Sequence, residues 1–168
     1  NAASIPEFIS SNISWSSSTI SGYGKKYAAK EINGVKIGFF FVMDNKTIPT
    51  LLGPLPMGLS DPEETAKEMV KALVEKEKVD VVIMLAMFFP DDLQAILPKI
   101  PGVDIVINTT FENSYSVIRT SLVKLENWGD ESGLPAIEAN SPIGRIGKLQ
   151  LEFSQQDAKN RLTSISQG

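Results

Sequence analysis

The sequence predicts an α/β fold, a mixed sheet with a parallel βαβ unit at its centre. Three observations predict it. Residues 79–85 (VDVVIML) and 103–107 (VDIVI) are short continuous apolar runs, the pattern of strands buried on both faces. Between them lie a short helical segment and a Pro-Gly turn, as a parallel crossover requires. Ahead of them, Asn33-Gly34 sits between two β-type runs and marks an antiparallel hairpin, which makes the sheet mixed.

The chain has 168 residues, 42% apolar and 21% charged, ordinary values for one domain with a proper core. A net charge of −4, with no run of Lys or Arg, predicts no nucleic-acid partner. No stretch is apolar for long enough to span a bilayer as a helix. Cysteine and histidine are both absent. Thiolate chemistry, disulfides, histidine-based triads and the usual zinc sites are therefore excluded. The start, Asn1-Ala2-Ala3-Ser4, is small and polar like a remnant of processing, so residues 1–4 are set apart and 5–168 are read as a single domain of a longer precursor.

In chain order, residues 7–13 predict a strand, and the Ser-rich segment 14–26, carrying Trp15 and Tyr23, a loop. The hairpin follows: strands 27–32 and 35–42 around Asn33-Gly34, whose residues suit the two positive-φ positions of a type I′ turn. Phe40 and Val42 make the second face of strand 35–42 apolar, so this strand is expected inside the sheet. Segment 44–60 is rich in Pro and Gly and reads as a loop pinned by Leu51, Leu52, Leu55 and Leu59. Asp61 then caps a helix, with Pro62 at its first position and Glu63 and Glu64 in its first turn. Its inward stripe is Ala66, Met69, Val70, Leu73 and Val74, and residues 75–78 are a solvated end. The central unit comes next, with Asp91 and Asp92 as caps of a short helix whose Leu93, Ile96 and Leu97 face inward. Beyond it, 116–125 leans towards strand, 127–133 is a polar loop with Trp128, and 135–139 and 146–153 are strands. A last strand, 161–166, pairs with 146–153 across a turn at 156–160.

The ordered segments NGVKIGFFFV, DPEETAKEMVKALVEKEKVDVVIML, LPKIPGVDIVINTT and LPAIEANSPIGRIGKLQLEF together resemble the second half of a calcineurin-like metallophosphoesterase domain of the 5'-nucleotidase or UDP-sugar hydrolase type. The resemblance spans residues 5–153. It implies half, or a reduced form, of a four-layer αββα sandwich, two divalent metals, phosphoester hydrolysis and an extracytoplasmic setting. It also implies metal-binding histidines after the strands at 81–85 and 103–107, where this chain has Met87, Thr110 and Glu112. A thioether and a hydroxyl are poor ligands for hard divalent ions, and one carboxylate cannot hold two. The expectation is therefore a degenerate domain with no catalytic residues, no metal ligands and no cofactor. Phe88, Phe89 and Phe111 would form an apolar rim, either plain core or a contact surface.

Other constellations are weaker. Glu112, Asp44 and Asp104 could gather as a carboxylate site, though their spacing is not that of an oxygen-ligand loop. Gly144-Arg145-Ile146-Gly147-Lys148 lacks the P-loop pattern and opens a strand, so it reads as a turn. Three sequon matches, at Asn12, Asn45 and Asn108, are discounted. The partner expected for such a module is another domain of its precursor or a separate protein, with self-association as a third possibility. The competing reading is the back half of a working phosphoesterase whose ligands lie in an N-terminal half.

Overall fold

The N-terminal strand divides into β1 (Phe8–Ile9) and β2 (Ile13–Trp15), a correction to the single strand expected over 7–13. The reason lies in Ser11 and Asn12, both buried, whose side chains bond distant backbone groups and turn the chain between them. The computed structural model describes residues 8–15, 24–46, 57–109, 123–124, 135–138, 149–156 and 159–167. The expected loop at 14–26 holds strand at both ends, Ser14-Trp15 in β2 and then β3 (Gly24–Lys25), which pairs with β1.

The hairpin forms as read. Strands β4 (Tyr27–Ile32) and β5 (Val35–Met43) pair with Ile32 opposite Val35, and Asn33 and Gly34 take φ values of 52° and 80°. At Gly38 a Cβ would lie 2.8 Å from Leu73 Cδ2, so the absent side chain is what lets the following helix settle on this strand. Within the expected loop 44–60, β6 (Met57–Leu59) forms and pairs with β2; residues 47–56 lie outside the described ones.

Helix α1 (Pro62–Lys71) starts where the sequence placed it. Asp61 accepts the Glu64 N–H at 2.8 Å, with Pro62 in the first turn. It then widens into one π-helical turn, Ala72–Lys76, in which Glu77 N–H reaches Ala72 O at 3.2 Å. That turn explains the one error in the predicted stripe. The extra residue rotates Val74 outward to 45% exposure and leaves Ala72 facing in.

Strand β7 (Val81–Met87), helix α2 (Pro90–Ile96), a 3₁₀ turn (Leu97–Lys99) and β8 (Ile105–Asn108) complete the βαβ unit. Both strands sit slightly later than the apolar runs suggested. The residue ahead of each is an aspartate that ties into the previous strand: Asp80 N–H donates to Lys36 O at 2.7 Å while its carboxylate accepts Lys36 N–H at 2.8 Å. Asp104 treats Val82 the same way, at 2.9 and 2.8 Å. Asp91 and Asp92 are corrected from caps to first-turn residues, since Phe89 occupies the cap position without a side-chain bond.

Strands β9 (Val123–Lys124) and β10 (Pro135–Glu138) extend the sheet to the order β4-β5-β7-β8-β10-β9, with β5, β7, β8 and β10 parallel. A separate antiparallel hairpin joins β11 (Leu149–Gln156) to β12 (Lys159–Gln167), the pairing the sequence indicated, with Gln156, Lys159 and Asn160 paired in strand, a correction to the turn expected at 156–160. Both helices cover one sheet face through Phe40, Leu73, Met84, Leu97, Ile100 and Val106, all fully buried. On the other face Val35, Ile37, Val81, Ile83 and Ile105 pack with Leu151 and Phe153 of β11. Leu151 and Phe153 thus share the inward side of β11, while Gln150 and Glu152 are exposed.

Asp104 has a pH consequence. Desolvation by the surrounding protein pushes its carboxyl above the usual range, and the Val82 N–H bond only partly opposes this. Since the folded value exceeds the unfolded one, Asp104 contributes its full stability below the unfolded value of about 3.9 and loses it as pH rises through the folded value. Asp104→Asn keeps an acceptor for Val82 N–H without the charge. Urea midpoints should show this variant gaining on the parent between about pH 3 and about pH 7, by no more than about 1 kcal/mol because the carboxylate still meets solvent. A difference that is flat or runs the other way contradicts the assignment.

Candidate functional site

In a sheet of this kind, chemistry gathers where the parallel strands end at their carboxyl edge. Here those ends are Met43-Asp44 after β5, Met87-Phe88-Phe89 at β7 and Asn108-Thr109 at β8. Met43 and Met87 lie side by side in register, and Asp44 N–H donates to Met87 O at 3.0 Å. Thr109 N–H bonds Ala86 O at 2.8 Å.

Two asparagines hold this edge together. Asn108 is 1% exposed, and its side-chain amide pairs with both backbone groups of Phe88: Oδ1 accepts from N–H at 3.0 Å and Nδ2 donates to C=O at 3.1 Å. Asn12, fully buried, does the same to Met43, at 3.0 and 2.7 Å, and also donates to Ser60 O at 3.2 Å. An amide carries a donor and an acceptor on separate atoms, so it can meet both backbone groups of one residue and close a strand end without leaving a buried group unpaired. Burial of these two amides also removes Asn12 and Asn108 as glycan acceptors.

Of the residues singled out in the sequence, Met87 sits at the end of β7 and is partly buried. Phe88 is 3% exposed and belongs to the helix-side core; Phe89 stays partly exposed at the cap of α2. Thr110, Phe111 and Glu112 lie outside the described residues, as do 144–148 and residues 1–4. Asp44 and Asp104 do not gather: Asp44 follows β5 at the carboxyl edge, while Asp104 precedes β8 at the opposite edge. The clamping role of Asn12 and Asn108 was not foreseen. Its only local signal was a polar amide set against apolar runs.

Electrostatics at this edge disfavour a bare anion. The start of α1 is served by its own Asp61, with Glu63 and Glu64 behind it. The start of α2 carries Asp91 and Asp92. Helix N-termini that would attract a phosphate therefore present carboxylates instead. Lys46 is turned to Asp92 at 2.6 Å, a bond that raises its ammonium above the usual lysine value.

A two-metal centre needs several oxygen or imidazole donors converging on one spot. The described residues here offer the Asp44 carboxylate, the Met87 thioether and an Asn108 amide whose two polar atoms both serve Phe88. No three His, Cys, Asp or Glu side chains come together among the described residues. The described residues do not by themselves supply that donor set, and Thr110 and Glu112 lie outside them.

No protein-family model and no curated protein matches the sequence. Solved structures do match. The NAD nucleotidase NadN of Haemophilus influenzae shares 17% identity at a TM-score of 0.62, over 95% of this chain and 33% of that one. A 5'-nucleotidase precursor from Thermus thermophilus shares 17% at 0.63, over 95% and 32%. The sulfate thiohydrolase SoxB of the same organism shares 12% at 0.64, over 96% and 27%. The chain thus shares the fold of part of these nucleotidase and thiohydrolase structures and spans about a third of their length. At such identities the likeness is one of fold. No helix among the described residues is long and apolar enough to cross a membrane.

Proposed function

We propose that this chain is a non-catalytic metallophosphoesterase-like module, kept as a scaffold or interaction surface, with the carboxyl edge around Met87 and Phe89 as its contact region. The observation that carries this reading is the Asn108 clamp on Phe88. At the strand end where a phosphoesterase would present metal ligands, the polar side chain is spent on the chain's own backbone. The carboxylates at both helix starts support it, because they repel the anion that the chemistry would have to hold. The partner is another domain of the same precursor or a separate protein, in an extracytoplasmic setting.

A second reading has its own support. Since the chain spans about a third of the matching structures, ligands supplied by another part of a longer protein would complete a working enzyme. Metal analysis and a phosphatase assay on the full-length protein separate the two. The module is expected to purify folded, without stoichiometric metal and without turnover of a nucleotide or a model phosphodiester. Stoichiometric Mn, Zn or Fe together with turnover overturns it. Light scattering at several concentrations tests self-association, for which a mass that grows with concentration is the positive result.

A further inference from the structure

A groove of about 590 Å³ opens at the other, amino edge of the sheet, between the end of α1 and the turn that leads into β8. Its apolar wall is Val74, Val79 and Val82. Val74 is there because the π-helical turn swings it out of the core stripe, leaving a large aliphatic side chain 45% exposed. Its polar wall is Asp80 and Asp104, against a single ammonium, Lys78, held at the positive φ of 55°. Asp104 commits one carboxylate oxygen to Val82 N–H, and the residue as a whole is exposed. Its other oxygen therefore meets the solvent of the groove.

An aliphatic wall beside an exposed carboxylate is complementary to a side chain with an apolar stem and a cationic head. We propose that this groove receives an arginine side chain presented by a protein partner, the stem lying along Val74 and Val79 and the guanidinium bonding Asp104. The exposed Asp104 carboxylate selects a cation, and the volume holds one such side chain with room for its flanking backbone. The site is separate from the carboxyl edge and does not depend on that region's role. The carboxyl, raised above its usual range by partial burial, adds a signature: a guanidinium favours the ionised form of Asp104, so binding strengthens as pH rises through its titration.

The test is a titration of the isotopically labelled chain with Nα-acetyl-arginine N-methylamide, followed by amide chemical shifts, with Nα-acetyl-norleucine N-methylamide as the apolar control. Saturable shifts are expected at Val74, Gly102 and Asp104 with the arginine probe, weaker in acid than at neutral pH. Asp104→Asn, which retains an acceptor for Val82, should weaken them about tenfold, the scale of one charge-assisted hydrogen bond. Val74→Ser alters an exposed position and should weaken them about threefold through lost apolar contact. No saturable shift at these residues, equal response to the norleucine probe, or parent-like binding by both variants overturns the proposal.

Discussion

Asn12→Ala is expected to destabilise the fold by about 3–5 kcal/mol, more than any other single change considered for this chain. Three backbone groups depend on that amide: Met43 N–H, Met43 C=O and Ser60 C=O. The first two are buried at the end of a central strand, and truncation leaves them without a partner and without water. Each such orphan costs about 1–3 kcal/mol, so the sum is large even when one is rescued by solvent. Asn12 also joins three distant parts of the chain, the β1–β2 junction, the end of β5 and the residue after β6. Urea denaturation of parent and variant checks the number. A loss under about 1 kcal/mol would mean that the backbone groups find other partners and that the clamp is dispensable.

Asn108→Ala should cost about 2–4 kcal/mol for the same reason, with two orphaned groups on Phe88 instead of three. The local consequence matters more for the proposed role. Phe88 and Phe89 sit between β7 and α2, and the clamp fixes the backbone that puts one ring in the core and leaves the other at the surface. The variant should therefore show hydrogen-exchange protection lost first at Phe88, Phe89 and Thr109, ahead of the amino-edge pairs at Asp80 and Asp104. Asn108→Asp discriminates further. A carboxylate accepts from Phe88 N–H but opposes the Phe88 carbonyl, whereas its protonated form can donate. This variant should recover part of the loss in acid, which the alanine variant cannot do. Equal losses at acid and neutral pH would argue that only packing volume, not the paired bonds, holds this edge.

Much of the scaffold was legible because its signals are local. A type I′ turn demands positive φ at two consecutive residues, and Asn-Gly is the pair that meets this at least strain, so between two β-type runs it marks a tight hairpin. Asp61-Pro62-Glu63-Glu64 supplies a cap, a fixed φ and two charges suited to the dipole, so the helix start was placed to the residue. The continuous apolar runs could be satisfied only by strands covered on both faces, and they are. The same logic failed at Val74, since heptad-like spacing assumes a constant helical pitch and a π-helical turn breaks it. It failed again at residues 7–13, where β-type residues suggested one strand. The two polar residues that divide it are committed to contacts with Phe41, Met43 and Ser60, far along the chain.

At the candidate site the division is sharper. The sequence by itself determined the fold class and the absence of histidine and cysteine, which are matters of pattern and composition that need no folding to read. That Met87, Thr110 and Glu112 stand where ligands would is what the resemblance alone implies. Only the tertiary structure decided that Phe88 is core, that Asp44 and Asp104 stand at opposite edges of the sheet, and that Asn12 and Asn108 spend their amides on strand ends. Each of these depends on which backbone groups the fold brings within about 3 Å of a side chain, and hydrogen bonds are decided by that distance and its angle alone.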